Sequence, residues 1–248
     1  MTQSSVSSTN KSSISKKVKS LSPSGIRKFF DLISTMDNVI SLGVGEPDFV
    51  TPWRIREAAI YSIERGDTMY TSNYGLLDLR VAISEYLKDR HGLTYAADKQ
   101  VLVTVGISQA LDLAMRAILD PGDEVIIPEP TYVSYVPCVI LAGGVPVTVP
   151  THVENSFHVR PSDIESHITS KTKAILLGYP NNPTGAVMPR NELEKIARIA
   201  KSYDLTVISD EIYERLVYGV GHTAFASLKD MSDRTIHLGG FSKSYAMT

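Results

Sequence analysis

Apolar positions along this chain follow two rhythms that alternate from about position 100 onward. Short apolar runs at 101–105, 124–127, 145–149, 173–178, 205–209 and 235–238 have the length and β-branched content of buried strands. Between them, apolar residues recur at helical spacing. One helix is predicted from Gly106-Ile107-Ser108 to near Leu119, packing Ala110, Leu113, Ala114, Ala117 and Ile118, and others cover about 133–141, 161–168 and 190–203. Pro161 suits a first helical turn. Upstream, two further helices are predicted, over 52–65 (Ile55, Ala58, Ala59, Ile63) and about 76–90 (Leu79, Ala82, Ile83, Tyr86), with Gly92 just past the second. Strand–helix alternation of this kind predicts an α/β fold, a mostly parallel sheet covered by helices on both faces.

In such a sheet, ligands bind beyond the carboxyl ends of the strands. Ser108, Asn182, Asp210 and Lys243 each stand just past a predicted strand end, far apart in sequence. Lys243 follows Gly239 and Gly240, which predicts a tight turn. A phosphate-binding P-loop needs Gly-x-x-x-x-Gly-Lys-Ser/Thr, and these glycines are misplaced for it. Gly43-Val44-Gly45-Glu46-Pro47-Asp48 lacks the third glycine of a dinucleotide fingerprint, and Pro47 and Pro52 stop a helix from opening there. A lysine in Lys243's position can hold a phosphate, or condense with a carbonyl as a desolvated nucleophile.

Composition narrows the classes. The chain has 248 residues, 43% hydrophobic and 21% charged, with a net charge of -2, which offers no basic field for nucleic acid. Cys138 is the single cysteine, so no disulfide can form within the chain, and a reducing, cytoplasmic setting is expected. No apolar stretch is long enough to cross a bilayer, and no membrane partner is expected. Residues 1–20 are rich in serine, carry four lysines (Lys11, Lys16, Lys17, Lys19) and have no acid, which reads as a disordered, solvated arm.

The strand-end set matches the needs of one cofactor. A helix amino end at Ile107 and Ser108, with Ser108 as a capping hydroxyl, suits a phosphate. Tyr132 is a flat ring that can stack on another. Asp210 can hold a ring nitrogen protonated, Asn182 and Tyr213 can bond a ring oxygen, and Lys243 can form an imine. These are the requirements of pyridoxal 5′-phosphate, with no metal called for. The aromatic Tyr135, by contrast, reads as core packing.

With those residues in view, the chain resembles the fold-type I, pyridoxal-phosphate-dependent class I aminotransferases, of the aspartate aminotransferase-like kind. The resemblance rests on Gly45-Glu46-Pro47-Asp48-Phe49, Tyr70 with Tyr74-Gly75, Gly106-Ile107-Ser108-Gln109-Ala110 and Pro130-Thr131-Tyr132-Val133-Ser134-Tyr135. It continues through Asn181-Asn182-Pro183-Thr184-Gly185, Ser209-Asp210-Glu211-Ile212-Tyr213 and the stretch from Phe241 to Thr248, in the family's order over about 41–248. It implies amino-group transfer between an L-amino acid and a 2-oxo acid through an aldimine on Lys243, which would also shuttle the proton. Asp210 and Tyr213 would complete the catalytic set. Ile107, Ser108, Tyr132, Asn182, Asp210, Tyr213, Ser242 and Lys243 would bind the cofactor, and Tyr70 would reach the cofactor of a neighbouring subunit, which implies a homodimer. Gly45, Tyr132 and Asn182 would line the substrate site.

Two departures qualify the resemblance. Gly240 stands where many members place a phosphate-binding serine, three residues before the lysine, so Ser242 or Ser108 is expected to compensate. The family's phosphate arginine and substrate-carboxylate arginine lie beyond Thr248, so the chain is expected to be a C-terminally truncated member, either a piece of a longer protein or a natural truncation. The expected organisation is an arm over 1–20, a segment of an incomplete small domain over 21–50 and a cofactor-binding large domain over 51–248. The same scaffold also supports carbon–sulfur lyases and synthases, which product analysis separates. A non-catalytic cofactor-binding module is a third reading; as a transcriptional regulator it is disfavoured, because the region before Ser41 is too short and polar for a DNA-binding domain.

Overall fold

The computed structural model describes residues 13–22, 35–36, 40 and 45–248. The chain divides into two units, 1–41 and 42–248. In the first, described structure includes a short exposed helix, α1 (Lys16–Ser20), whose Ser15 hydroxyl accepts the Val18 N–H at 3.3 Å. The expected small-domain segment over 21–50 lies largely outside the described residues.

The second unit alternates as the periodicity requires. After α2 (Trp53–Glu64) and α3 (Leu77–His91) come α4 (Gly106–Ile118), β1 (Glu124–Glu129), α5 (Tyr135–Ala142), β2 (Val145–Pro150), α6 (Pro161–Ser166) and β3 (Thr172–Gly178). Then follow α7 (Arg190–Ser202), β4 (Thr206–Asp210), β5 (Thr235–Leu238) and the short α8 (Phe241–Ser244). The five strands form one sheet in the order β2-β1-β3-β4-β5, with all four pairings parallel.

Alternate residues of each strand point to opposite faces, so each strand feeds two cores. Ile126, Ile175, Leu177 and Val207 pack with Leu193, Ile196, Ala197 and Ala200 of α7 and with Phe225, Leu228 and Met231. On the other face Val125, Ile127, Ala174, Leu176 and Ile208 meet Leu111, Ala114 and Met115 of α4 and Tyr135, Cys138 and Val139 of α5. Strands covered on both sides explain why the sequence shows apolar runs there rather than strict alternation.

Register aligns the strand ends. Gly178 pairs with Asp210, and Asp210 pairs with Leu238, so the carboxyl ends of β3, β4 and β5 lie in one row. The segments leaving that row carry Asn181-Asn182, Glu211 to Tyr213, and Gly239 to Lys243.

Two local expectations are corrected. Segment 101–105, read as a strand, joins no ladder among the described residues; its Val103 N–H instead donates to the Tyr74 carbonyl at 3.0 Å. A cleft of about 720 Å³ separates it from the sheet, with Gln100, Leu102 and Thr104 on one wall and Thr235, Ile236 and His237 of β5 on the other. Lys243 sits in the first turn of α8 rather than on a glycine turn. Gly239 and Gly240 are absent from the left-handed region, and Gly240 is extended at φ 178°. What Gly240 supplies is room, since a Cβ there would come within 3.0 Å of Ile212 Cδ1.

Candidate active site

Asp210 ends β4 as a buried carboxyl group. Its Oδ2 accepts the Tyr135 hydroxyl at 2.7 Å, and its Oδ1 accepts the Ile212 N–H at 3.2 Å. Burial pushes the Asp210 carboxyl above its ordinary range, and these two donors pull the other way. Burial, reinforced by the adjacent Asp210, drives the Tyr135 phenol well above its usual value, so it remains a donor. Tyr135 is buried, as core packing requires, but its hydroxyl end is bonded to the Asp210 carboxylate rather than packed among apolar groups.

The neighbouring loop is built around Asn181. Its Oδ1 accepts the Thr184 N–H (3.1 Å) and hydroxyl (2.8 Å), while its Nδ2 donates to the carbonyls of Pro130 (3.3 Å) and Gly178 (3.2 Å). An asparagine closing a turn on its own backbone in this way fixes the loop. Asn182 is left to present its side chain, and its Nδ2 donates to the Tyr213 hydroxyl at 3.4 Å. Burial raises the Tyr213 phenol, while the Asn182 bond lowers it.

Lys243 is half-buried. Its Nζ donates to the Gly45 carbonyl and lies 5.9 Å from the centre of the Tyr213 ring. The segment carrying Gly45 is tied to the same region by the Thr51 hydroxyl, which donates to the Ala246 carbonyl at 2.6 Å. Tyr132 meets Tyr135 edge-on, with ring centres 5.7 Å apart. Thus Tyr132, Tyr135 and Asp210 form one contacting set and Asn182, Tyr213, Lys243 and Gly45 another, with Asp210 and Tyr132 close enough to act electrostatically on Tyr213.

The remaining candidates stand further out. Ile107 and Ser108 occupy the first turn of α4, where backbone N–H groups lack intrahelical partners. Ser108 is not the cap. The helix starts at Gly106 (φ 69°), three residues earlier than a Ser108 cap requires, and the Gln109 side chain reaches back to accept the Val105 N–H at 2.6 Å. Ser242 is half-buried within α8, and Tyr70 is fully exposed.

Sequence reasoning also missed a buried ionic cluster behind Asp210. Glu211 accepts from the Ser209 hydroxyl (2.8 Å), the Phe225 N–H (3.0 Å) and His222 Nε2 (2.6 Å), and His237 Nδ1 lies 3.4 Å from it as an ion pair. Glu214 pairs with His91 Nε2 at 2.5 Å and accepts the Tyr86 hydroxyl. The available signal was an Asp-Glu pair at a strand end with another glutamate three residues on. Burial opposes the charged form of Glu211, but the surrounding histidines hold its carboxyl far below the usual range. Burial likewise opposes a charged His237, and Glu211 outweighs it and raises the imidazole. Burial, with Glu214 alongside, pushes the Tyr86 phenol up to about 12.

Comparison with known proteins fits this arrangement. The family model described as aminotransferase class I and II matches residues 37–248. The chain belongs to that family. A putative aminotransferase of Bacillus subtilis, YugH, is 54% identical over 93% of this chain and 60% of its own length. Aromatic-amino-acid aminotransferase 2 of Thermococcus litoralis is 45% identical over 95% of this chain and 61% of its own. Among solved structures, the aspartate aminotransferase of Thermus thermophilus with maleate superposes with a TM-score of 0.90 at 38% identity, over 96% of this chain and 62% of that one. The fold is therefore that of the aspartate aminotransferase-like proteins, and the chain spans about 60% of the length of the relatives it matches.

Proposed function

We propose that this chain is the cofactor-binding part of a pyridoxal-phosphate-dependent enzyme that moves an amino group between an L-amino acid and a 2-oxo acid. The observation that carries the proposal is the row of strand ends itself. A buried, doubly hydrogen-bonded Asp210 lies within electrostatic reach of Tyr213, which in turn meets Asn182 and the Lys243 amine, and this supports the reading.

The residues present fit the cofactor. Each Asp210 oxygen accepts one bond from protein and has a lone pair to spare for a protonated ring nitrogen. Asn182 and Tyr213 offer neighbouring donors for a ring oxygen, Tyr132 offers a flat face, and Ile107 and Ser108 offer the free N–H groups of a helix amino end. When bound, pyridoxal phosphate supplies an aldehyde for an amine and a ring that draws electrons from the adjacent carbon. Asp210 provides a fixed negative charge in a site where burial strengthens its effect. Lys243 Nζ is the atom at which a proton would be taken up and returned, and the Gly45 carbonyl orients it. The relatives' names include both aspartate and aromatic aminotransferases, which supports amino-acid substrates as a class. A second copy of the chain is part of the proposal. Tyr70 is fully exposed, and Met69, Tyr74 and Trp53 are also exposed, which supports an apolar surface suited to a partner subunit.

The test is chemical. Protein incubated with pyridoxal phosphate and then borohydride should carry the cofactor's mass on the peptide that contains Lys243. Label on another lysine, or no uptake, would refute the assignment.

A further inference from the structure

Tyr135, Gly178 and Asp210 come from three different elements, the start of α5 and the ends of β3 and β4, and they meet at one buried point. The Tyr135 hydroxyl reaches Asp210 Oδ2 at 2.7 Å by passing over Gly178. A Cβ on residue 178 would stand 2.5 Å from that hydroxyl oxygen and 3.0 Å from the ring, so only glycine leaves the path open. Both ends are locked, with Tyr135 3% exposed and Asp210 4%.

We infer that Tyr135 is a positioning residue for Asp210, holding its carboxylate ionised and aimed, and that Gly178 exists to let the Tyr135 hydroxyl through. The inference rests on the cofactor reading above only for what Asp210 then does. The hold itself belongs to the protein. A hydrogen bond to an ionised, buried oxygen is among the strong ones, and its loss leaves that oxygen without its protein donor. The other groups acting on Asp210 are fixed. Glu211 beside it disfavours its charge, His237 on β5 favours it, and Ile212 donates to the other oxygen. Tyr213 and Tyr132 lie close enough to act electrostatically on Tyr135. Among the described residues, Tyr135 is the one side chain that donates a hydrogen bond to Asp210.

Two variants and two measurements test this. In cofactor-free protein labelled for carbon NMR, the Asp210 carboxyl should titrate higher than in wild type both in Tyr135→Phe and in Gly178→Ala, where the tyrosine is present but its hydroxyl is pushed aside. An unshifted carboxyl in both variants overturns the inference whatever the cofactor does. In cofactor binding at equilibrium, each variant should be weaker than wild type at pH values below the titration measured for its own carboxyl, by up to about tenfold for each unit by which that titration is raised. The gap should narrow at pH values above those titrations, where Asp210 is ionised in all three. A structural defect alone would keep the same gap on both sides of the titrations, and that result also overturns the inference. Should Tyr135→Phe fail to fold by circular dichroism, Gly178→Ala decides. Wild type that takes up no cofactor refutes the reading of the site, and the NMR titration still decides the role of Tyr135.

Discussion

At the residue scale, buried charge at the strand ends is matched by neighbouring donors. Glu211 shows this most clearly. It is 1% exposed, and it gathers donors from its own strand (Ser209), from the 222–225 segment (His222, Phe225) and from β5 (His237). Removing one member of a buried pair leaves the other uncompensated, so Glu211→Ala should cost about 3–5 kcal/mol in urea unfolding. The pH dependence has a definite sign. Glu211 is lowered from 4.5, so its contribution is present above that value and is lost as pH falls through the folded-state value. His237 is raised from 6.5, so its contribution is complete below that value and is lost as pH climbs through the raised one. Both are therefore complete between 4.5 and 6.5, and unfolding midpoints of wild type measured against the Glu211→Ala variant should differ most in that window. A difference that grows steadily above it would contradict the assignment of His237. Asp210→Ala acts on chemistry instead. In a polypeptide extended to the length of its relatives, the proposed cofactor should remain attached through Lys243, while turnover falls by roughly a hundredfold to a thousandfold or more, as for loss of a fixed charge matched to the transition state. Near-normal single-turnover rates in that variant would remove Asp210 from the mechanism.

At the element scale, most of the architecture was legible because each element carries its own local signal. The strands of the sheet are covered on both faces and read as apolar runs, while α4 and α7 bury one stripe each and read at helical spacing. Two kinds of feature were not legible. Segment 101–105 has the composition of a strand, but pairing is a property of two segments, and β5 stands across a cleft from it. Tyr135 shows the other kind. A tyrosine at a helix start announces burial, and only the fold tells that its hydroxyl ends on a carboxylate 75 residues away. Sequence placed Asn182, Asp210 and Lys243 near strand ends, and register is what put those ends in one row. A related test concerns Gly75, whose φ of 94° suits glycine, and whose Cβ would meet Val103 Cβ at 2.6 Å. The same spot carries the backbone bond from Val103 N–H to Tyr74 O. Gly75→Ala should therefore lose about 1–3 kcal/mol from backbone strain alone. It should also make the 70–76 loop, with Tyr70 on it, more open to limited proteolysis. Unchanged stability and cleavage would mean that the loop and segment 101–105 are not held together as described.

At the scale of the whole molecule, the edge at β5 governs how this polypeptide should behave. β5 pairs with β4 on one side, and on the other it borders the 720 Å³ cleft. Among the described residues, two buried polar atoms on the cleft's lining residues, Tyr95 Oη and Thr235 Oγ1, have no hydrogen-bond partner, although buried groups of this kind are normally satisfied. Leaving such groups unsatisfied costs stability, and an open parallel edge offers a template for pairing with another chain. Apolar side chains of α2 and the loops around it, including Phe49, Trp53, Tyr61, Ile63 and Tyr70, add exposed hydrophobic surface. Catalysis faces a parallel shortfall. The site as described has an amine, a carboxylate, an amide and phenols, but no arginine contacts Lys243, Asp210, Asn182 or Tyr213 in the hydrogen bonds and ion pairs among the described residues. A bidentate guanidinium clamp both binds a substrate carboxylate and orients the α-hydrogen, so its absence should depress rate as well as affinity. The 248-residue polypeptide expressed by itself should therefore associate with rising concentration in light scattering, bind a hydrophobic dye, and show no measurable transamination even when the cofactor is taken up. A polypeptide extended to the length of its relatives should lose the dye binding, sediment as a discrete dimer and turn over. If residues 1–248 alone give a monodisperse species that transaminates at an ordinary enzymatic rate, then the open edge is tolerated and the substrate carboxylate is held by groups already on this chain.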